Sequence, residues 1–177
     1  MIFKGIGWCT MIWIKTVLFL STVFTVKYIF ILINSYGDKK VDKMKELISF
    51  TEYLRIYSCE MKMSIEEIFL KYKFKSTSTK EVVSQWMKYL ENKSSREDLL
   101  EYLDNIMNTP REFNLHFVEI IDYYGSSYSD VLNKKLAFTQ EEMEKVMNEF
   151  YTIHSEKKAL YNRISFLAGC LAAIILV

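Results

Sequence analysis

Residues 136–177 read LAFTQEEMEKVMNEFYTIHSEKKALYNRISFLAGCLAAIILV, and one helical stripe runs through this stretch without a break. Steps of three and four residues connect its positions, which are Leu136, Thr139, Met143, Val146, Phe150, Ile153, Lys157, Leu160, Ile164 and Leu167. No proline or glycine lies between Gly125 and Gly169 to interrupt it. The pattern therefore predicts one helix that begins near residue 128 and continues into the apolar tail.

The tail, residues 164–177, contains 14 residues and no charge. As a helix it would be about 21 Å long, against a hydrocarbon core of about 30 Å in a bilayer. Including residues 159–162, and letting the long side chain of Arg163 reach the interface, gives a short C-terminal transmembrane helix over 159–177. A buried core helix of a water-soluble domain is the alternative, because a short apolar stretch also suits that role.

A second apolar stretch, residues 5–33, carries no charged side chain except Lys15 and Lys27. A transmembrane helix over about 12–34 places both lysines towards its ends, where their stems can extend to the headgroups. We therefore predict an N-terminal segment, 1–37, that contains this helix. A cleaved signal peptide is the alternative, although the stretch contains no A-x-A cleavage site.

The charges divide the chain into three parts. All 22 acidic residues lie between Asp38 and Glu156, so a solvated middle domain, 38–158, separates the two apolar ends. Basic residues flank this domain at both ends, namely Lys39, Lys40, Lys43, Lys45, Lys157, Lys158 and Arg163. The positive-inside rule then places the middle domain in the cytoplasm and both termini across the membrane. The near balance of 23 basic and 22 acidic residues gives no indication of a nucleic-acid partner.

Helix caps recur along the middle domain. A Ser or Thr followed three residues later by Glu or Asp is typical of a helix start, because the two side chains satisfy free backbone N–H groups. Five such pairs each precede an apolar pattern of helical period: Ser64/Glu67, Ser78/Glu81, Ser94/Glu97, Thr109/Glu112 with Pro110 at the first helical position, and Ser127/Asp130. With a first helix over about 40–60, the sequence predicts an all-α protein. We expect a cytosolic bundle of about six helices between an N-terminal and a C-terminal transmembrane helix, the last helix being continuous into the membrane.

No residue set indicates catalysis, a cofactor or a metal site. His116 and His154 are 38 residues apart, and the three cysteines lack the spacing of a metal site. Two charged runs are predicted partner-docking surfaces, the first basic and the second acidic: Lys71, Lys73 and Lys75; Glu141, Glu142 and Glu144. Plain solvated helix faces are the alternative for both runs. We therefore predict a protein that is not an enzyme and that binds no cofactor and no metal.

Three stretches of the chain are informative together: LISFTEYLRIYSCEMKMSIEEIF at 47–69, YYGSSYSD at 123–130 and LYNRISFLAGCLAAIILV at 160–177. They resemble the stage III sporulation protein AB family of spore-forming bacteria. The resemblance in architecture covers nearly the whole chain. The chain departs from the family pattern in three places: Ser64-Ile65 replaces the usual proline-leucine, Lys134 replaces glutamine, and Ser165 replaces glycine.

The resemblance implies a part in a channel complex between mother cell and forespore. The family is similar to the inner-membrane platform protein of type II secretion and type IV pilus systems. The resemblance also implies that the helical domain docks a secretion-type ATPase, stage III sporulation protein AA, and that the chain contacts other stage III channel subunits. It further implies a place in the outer forespore membrane, with the helical domain on the mother-cell side. Small residues at Gly169 and Ala172 then suit close packing of membrane helices, either in a homo-oligomer or against the first span.

Two further readings of the function stay open. One is a membrane-anchored helical regulator or sensor with unrelated protein partners. The other is an enzyme whose site cannot be read from the sequence, which would show a concave pocket with titratable groups of shifted pKa.

Overall fold

The computed structural model describes residues 3–92, 95–124 and 129–176, and within them it is all-helical. The all-α prediction is confirmed. These residues contain six helices: α1 (Phe3–Cys59), α2 (Ile65–Lys71), α3 (Thr77–Asn92), α4 (Arg96–Met107), α5 (Arg111–Tyr123) and α6 (Ser129–Leu176).

The chain forms two compact units. Met1–Gly37 and Ile153–Val177 make up the first, which we call the helix pair, and Asp38–Thr152 makes up the second, which we call the bundle. Both long helices contribute to both units, while α2 to α5 belong to the bundle alone.

The number of helices differs from the expectation in one respect. The predicted first span and the predicted helix over 40–60 form a single helix, α1, of 57 residues. Gly37 does not end it, although glycine favours helix ends. A Cβ added at Gly37 would overlap the imidazole ring of His154, so the glycine serves close contact with α6. At the other end, α6 runs unbroken through 48 residues, as the uninterrupted stripe predicts.

The bundle has a core of aromatic and aliphatic side chains. Trp86 is fully buried, and its ring centroid lies 5.6 Å from that of Phe117 and 6.4 Å from that of Phe50. The Phe50 pair is edge-on, an arrangement that favours aromatic packing beyond the burial of area. Other fully buried side chains complete this core, among them Met44, Leu47, Leu54, Ile68, Leu99, Leu103, Met107, Phe113 and Ile120.

Three of the five predicted helix starts lie within the described residues, those at Ser64, Thr109 and Ser78. Ser64 caps α2 as predicted, since its hydroxyl accepts a hydrogen bond from the N–H of Glu67 at 3.4 Å. Before α5, the Thr109 hydroxyl pairs with the amide oxygen of Asn114 at 2.7 Å, and Pro110 is the capping residue instead of the first helical one. The prediction of a Thr109 cap was therefore wrong by one position.

The start of α3 was also predicted wrongly. The helix begins at Thr77, whereas a cap at Ser78 would have started it later. The reason is a long-range contact: the carboxylate of Glu46 accepts hydrogen bonds from the N–H groups of Lys75 and Ser76. The predicted caps at Ser94 and Ser127 lie outside the described residues.

Candidate functional site

The three predicted docking lysines do not form one site. Lys71 ends α2, and its amino group lies 3.8 Å from the sulfur of Met63. Lys73 is exposed in the connection to α3. Lys75 lies in the same connection and lines a groove that neither Lys71 nor Lys73 lines, so the basic run is divided.

The predicted acidic run lies on α6, within the bundle. Glu141 is exposed. Glu142 lies 3.9 Å from the amino group of Lys145, and Glu144 accepts a hydrogen bond from Gln140 at 2.9 Å. No recorded ion pair joins these glutamates to the docking lysines in the part of the chain that the structure describes.

A polar groove of about 620 Å³ lies between α1 and the connection from α2 to α3. We call it the basic groove. Four lysines and two carboxylates line it, together with three serines and a tyrosine: Lys39, Asp42, Lys43, Lys45, Glu46, Ser49, Tyr72, Lys75, Ser76 and Ser78. Sequence reasoning missed this groove because its two halves are about 30 residues apart in the chain.

Glu46 holds the far wall of the basic groove in place. Its side chain is buried, and its two carboxylate oxygens each lie 3.2 Å from the N–H of Ser76. Its backbone carbonyl also accepts a hydrogen bond from the Tyr72 hydroxyl at 3.3 Å. Burial, and then the charge of Glu46, raise the pKa of that phenol. A carboxylate at the start of α3 also complements the partial positive charge of the helix N-terminus.

Lys43 places a positive charge at the C-terminal end of α4. Its amino group donates to the carbonyl of Ile106 at 3.0 Å and to that of Met107 at 3.5 Å. Carbonyls in the last turn of a helix lack internal partners, and a positive charge there is favourable. Burial lowers the pKa of Lys43, and the neighbouring charge of Lys40 lowers it further. Both Lys43 and Glu46 are thus engaged with other helices.

The remaining lysines of the basic groove have fewer partners. The side chains of Lys39 and Lys75 make no recorded hydrogen bond or ion pair with the described residues. Lys45 lies over the ring of Tyr151, with 5.7 Å between the amino group and the ring centroid. The groove therefore holds positive charge that the protein does not neutralise.

The helix pair is organised in the reverse sense of a water-soluble core. Among its residues with a described exposure, 12–37 and 153–175, the buried ones are Asn34, Ser165, Gly169 and Ala173. Large apolar side chains instead face outwards, for example Trp13, Phe24, Ile29, Phe166, Leu167, Leu171 and Ile174. Both α1 and α6 are long and apolar enough to span a membrane.

A line of small residues, which we call the small-residue seam, joins α6 to α1. Ser165, Gly169 and Ala173 follow one another at four-residue spacing and are all buried. A Cβ added at Gly169 would lie 3.2 Å from the Cα of Val23, so the two backbones approach closely there. The structure thus places Gly169 at a helix contact, whereas Ala172 is partly exposed and Ala173 occupies the buried position. The four-residue spacing of small side chains in the sequence could have identified Ser165 and Ala173 as members of the helix contact.

One hydrogen bond and one aromatic contact join α1 to α6 beyond the small-residue seam. The amide of buried Asn34 donates to the amide oxygen of Asn162 at 3.3 Å. The rings of Phe30 and Tyr161 lie 5.6 Å apart. A side-chain hydrogen bond between apolar helices helps to fix their register, because neither partner can be left unsatisfied without cost.

Residues with metal-binding or catalytic chemistry are dispersed. Within the described ranges no three His, Cys, Asp or Glu side chains form a group that could hold a metal ion. His116 lies 3.3 Å from a carboxylate oxygen of Glu119, three residues along the same helix.

The chain was also compared with known proteins. No family model, curated protein or solved structure matches it. The resemblance to the stage III sporulation protein AB family therefore stays a prediction.

Proposed function

We propose that this chain is a membrane-anchored adaptor with two transmembrane helices, formed by the apolar parts of α1 and α6, and with no catalysis of its own. One observation carries the proposal: the helix pair buries small and polar residues and exposes large apolar ones. Such an arrangement would leave a large apolar surface in water, which soluble monomers avoid. It suits a lipid environment, where helices associate through small residues and hydrogen bonds.

The same observation weighs against the two simpler readings of the apolar ends. A core helix of a soluble domain buries its large apolar residues, yet Phe166, Leu167 and Leu171 are more than half exposed. A cleaved signal peptide would not need a packed partner, yet Val23 lies against Gly169 of α6.

We further propose that the bundle lies in the cytoplasm and receives a protein partner there. The flanking lysines support this orientation, because positive residues are retained on the cytoplasmic side. Exposed charges on the bundle surface, those of Lys73 and Glu141, suit recognition of a charged partner.

The particular partner follows from the sequence resemblance. We propose a secretion-type ATPase, stage III sporulation protein AA, within a channel complex between mother cell and forespore. The adaptor would be a platform subunit in the outer forespore membrane, in contact with the other stage III channel subunits and needed for spore development after engulfment.

The proposal is tested by deleting the gene in its native host and counting heat-resistant spores. A collapse of the count that is rescued by the gene in trans supports the platform function. A normal count would remove the sporulation proposal and leave an anchored regulator with unrelated partners as the better description. A rescue by Lys73→Glu as full as that by the wild-type gene would exclude this lysine from the docking surface.

A further inference from the structure

The basic groove brings together lysines that are distant in the sequence. Lys39 and Lys43 are four residues apart on α1 and therefore on one helix face. Lys75 enters from the connection that precedes α3. The fold thus converts separate charges into one concave basic surface.

The charges of the basic groove are not balanced internally. Glu46 is bound to backbone N–H groups at the start of α3, and Asp42 is the other carboxylate of the lining. Four lysines face these two acids. Lys43 is partly desolvated and shares its surroundings with Lys40, a combination that lowers the pKa of its ammonium group. An anion placed in the groove would relieve this repulsion.

Neutral hydrogen-bond donors lie beside the lysines. Ser76 and Ser78 line the groove, and their hydroxyl oxygens are 3.4 Å apart. Since a water molecule takes up about 30 Å³ of liquid, a volume of about 620 Å³ exceeds the needs of a bare ion. The space accommodates a phosphate together with an attached polar group.

We propose that the basic groove binds a phosphate group, and that the phosphate belongs to the headgroup of an anionic phospholipid. Lys39 follows Ile33, the end of the apolar stretch, by six residues along the chain. Clusters of lysine directly after a membrane span are the usual place for recognition of anionic lipids. The choice of a lipid over a soluble phosphate compound rests on the proposed membrane anchoring, whereas phosphate binding itself does not.

The test uses the full-length protein in a neutral detergent and measures dissociation constants by calorimetry. The probes are dihexanoyl phosphatidylglycerol, dihexanoyl phosphatidylcholine and inorganic phosphate. We expect phosphatidylglycerol to bind and phosphatidylcholine to bind at least tenfold more weakly, with affinity for the former falling as salt is raised. Comparable affinity for inorganic phosphate would overturn the lipid source, and absence of binding by both anionic probes would overturn the phosphate site.

A matched pair of variants locates the site. K39A/K75A removes two lysines that line the groove, and K71A/K73A removes two neighbouring lysines that do not. We expect the first variant to lose roughly 25-fold in affinity for phosphatidylglycerol, about fivefold for each lysine, and the second to change less than twofold. Equal losses in both variants would overturn the assignment to the groove. Neither Lys39 nor Lys75 makes a recorded side-chain hydrogen bond, so unchanged helical circular dichroism is the folding control.

Flotation with vesicles separates this inference from the proposed function. Wild-type protein that does not float with any vesicle contradicts membrane anchoring. Protein that floats with neutral and anionic vesicles, but shows no preference between the two soluble lipids, contradicts the groove alone.

Discussion

The small-residue seam predicts that a bulky side chain at Gly169 will force α1 and α6 apart. A Cβ there would lie 3.2 Å from the Cα of Val23 and 3.3 Å from its carbonyl oxygen, closer than the ordinary contact of about 3.5–4.0 Å. Both atoms belong to the backbone of α1, so no change of side-chain rotamer relieves the contact.

The magnitude follows from the size of the added group. Overpacking of a close contact costs about 1–3 kcal/mol. For Gly169→Ala, the higher helix propensity of alanine offsets about 1 kcal/mol of this cost, so we expect a small net loss. Gly169→Leu adds three further carbon atoms at the same point, and we expect a loss near the upper end, about 3 kcal/mol.

Two adjacent alanines provide a matched control. Ala173 is fully buried and Ala172 is partly exposed, so the same change to leucine meets different surroundings. We expect Ala173→Leu to lose about 1–3 kcal/mol and Ala172→Leu to stay within about 0.5 kcal/mol of the wild type. The assay is unfolding of the full-length protein by sodium dodecyl sulfate in mixed micelles, followed by helical circular dichroism.

Two results would contradict the close contact of α6 with α1 at the small-residue seam. One is a Gly169→Leu variant as stable as the wild type, which would mean that the close approach of the helices contributes nothing. The other is an equal loss at Ala172 and Ala173, which would mean that the register of α6 against α1 is different.

Three further predictions concern single contacts. Glu46→Ala should lower the free energy of unfolding by about 1–3 kcal/mol and speed amide exchange at residues 75–76, because two backbone N–H groups lose their acceptor. Glu46→Gln keeps one acceptor oxygen and should lose less stability. Equal losses in the two variants would contradict the capping role. Gly37→Ala should lower the thermal unfolding midpoint because the new Cβ overlaps the His154 ring, although alanine usually stabilises a helix by about 1 kcal/mol relative to glycine. In a His154→Ala background the same change should raise the midpoint. A rise in both backgrounds would refute the overlap of the Cβ with His154. Burial raises the pKa of Tyr124 from 10.0 to about 12, so the folded state holds its proton more tightly and stability should fall between pH 10 and 12. That fall should be shallower in Tyr124→Phe, as measured by urea unfolding, and identical slopes would contradict the assignment.

The helical class and the long last helix follow from local sequence signals. Ser64 with Glu67 caps α2 as the pattern indicates. The stripe from Leu136 onwards predicts α6 because no glycine or proline interrupts it. These features depend on spacings of three and four residues along one helix, which a sequence pattern records directly.

The remaining features depend on contacts between distant residues. Gly37 would normally suggest a break, but its lack of a Cβ is used for contact with His154. The start of α3 is set by Glu46, about 30 residues earlier, so the cap predicted at Ser78 was wrong. Ala172, predicted together with Gly169 for packing of membrane helices, is partly exposed, while its neighbour Ala173 is buried. Which face of α6 is covered depends on the distant residues of α1 and is therefore not contained in the local pattern.

Alkaline carbonate extraction of membranes from the native host tests the central claim most directly. A peripheral or soluble protein is released at high pH, whereas a protein with transmembrane helices stays in the pellet. Two membrane-spanning helices predict that the full-length protein remains in the pellet and leaves it only when detergent is added. Release into the supernatant by carbonate alone would contradict membrane anchoring, and with it the adaptor function proposed for the chain.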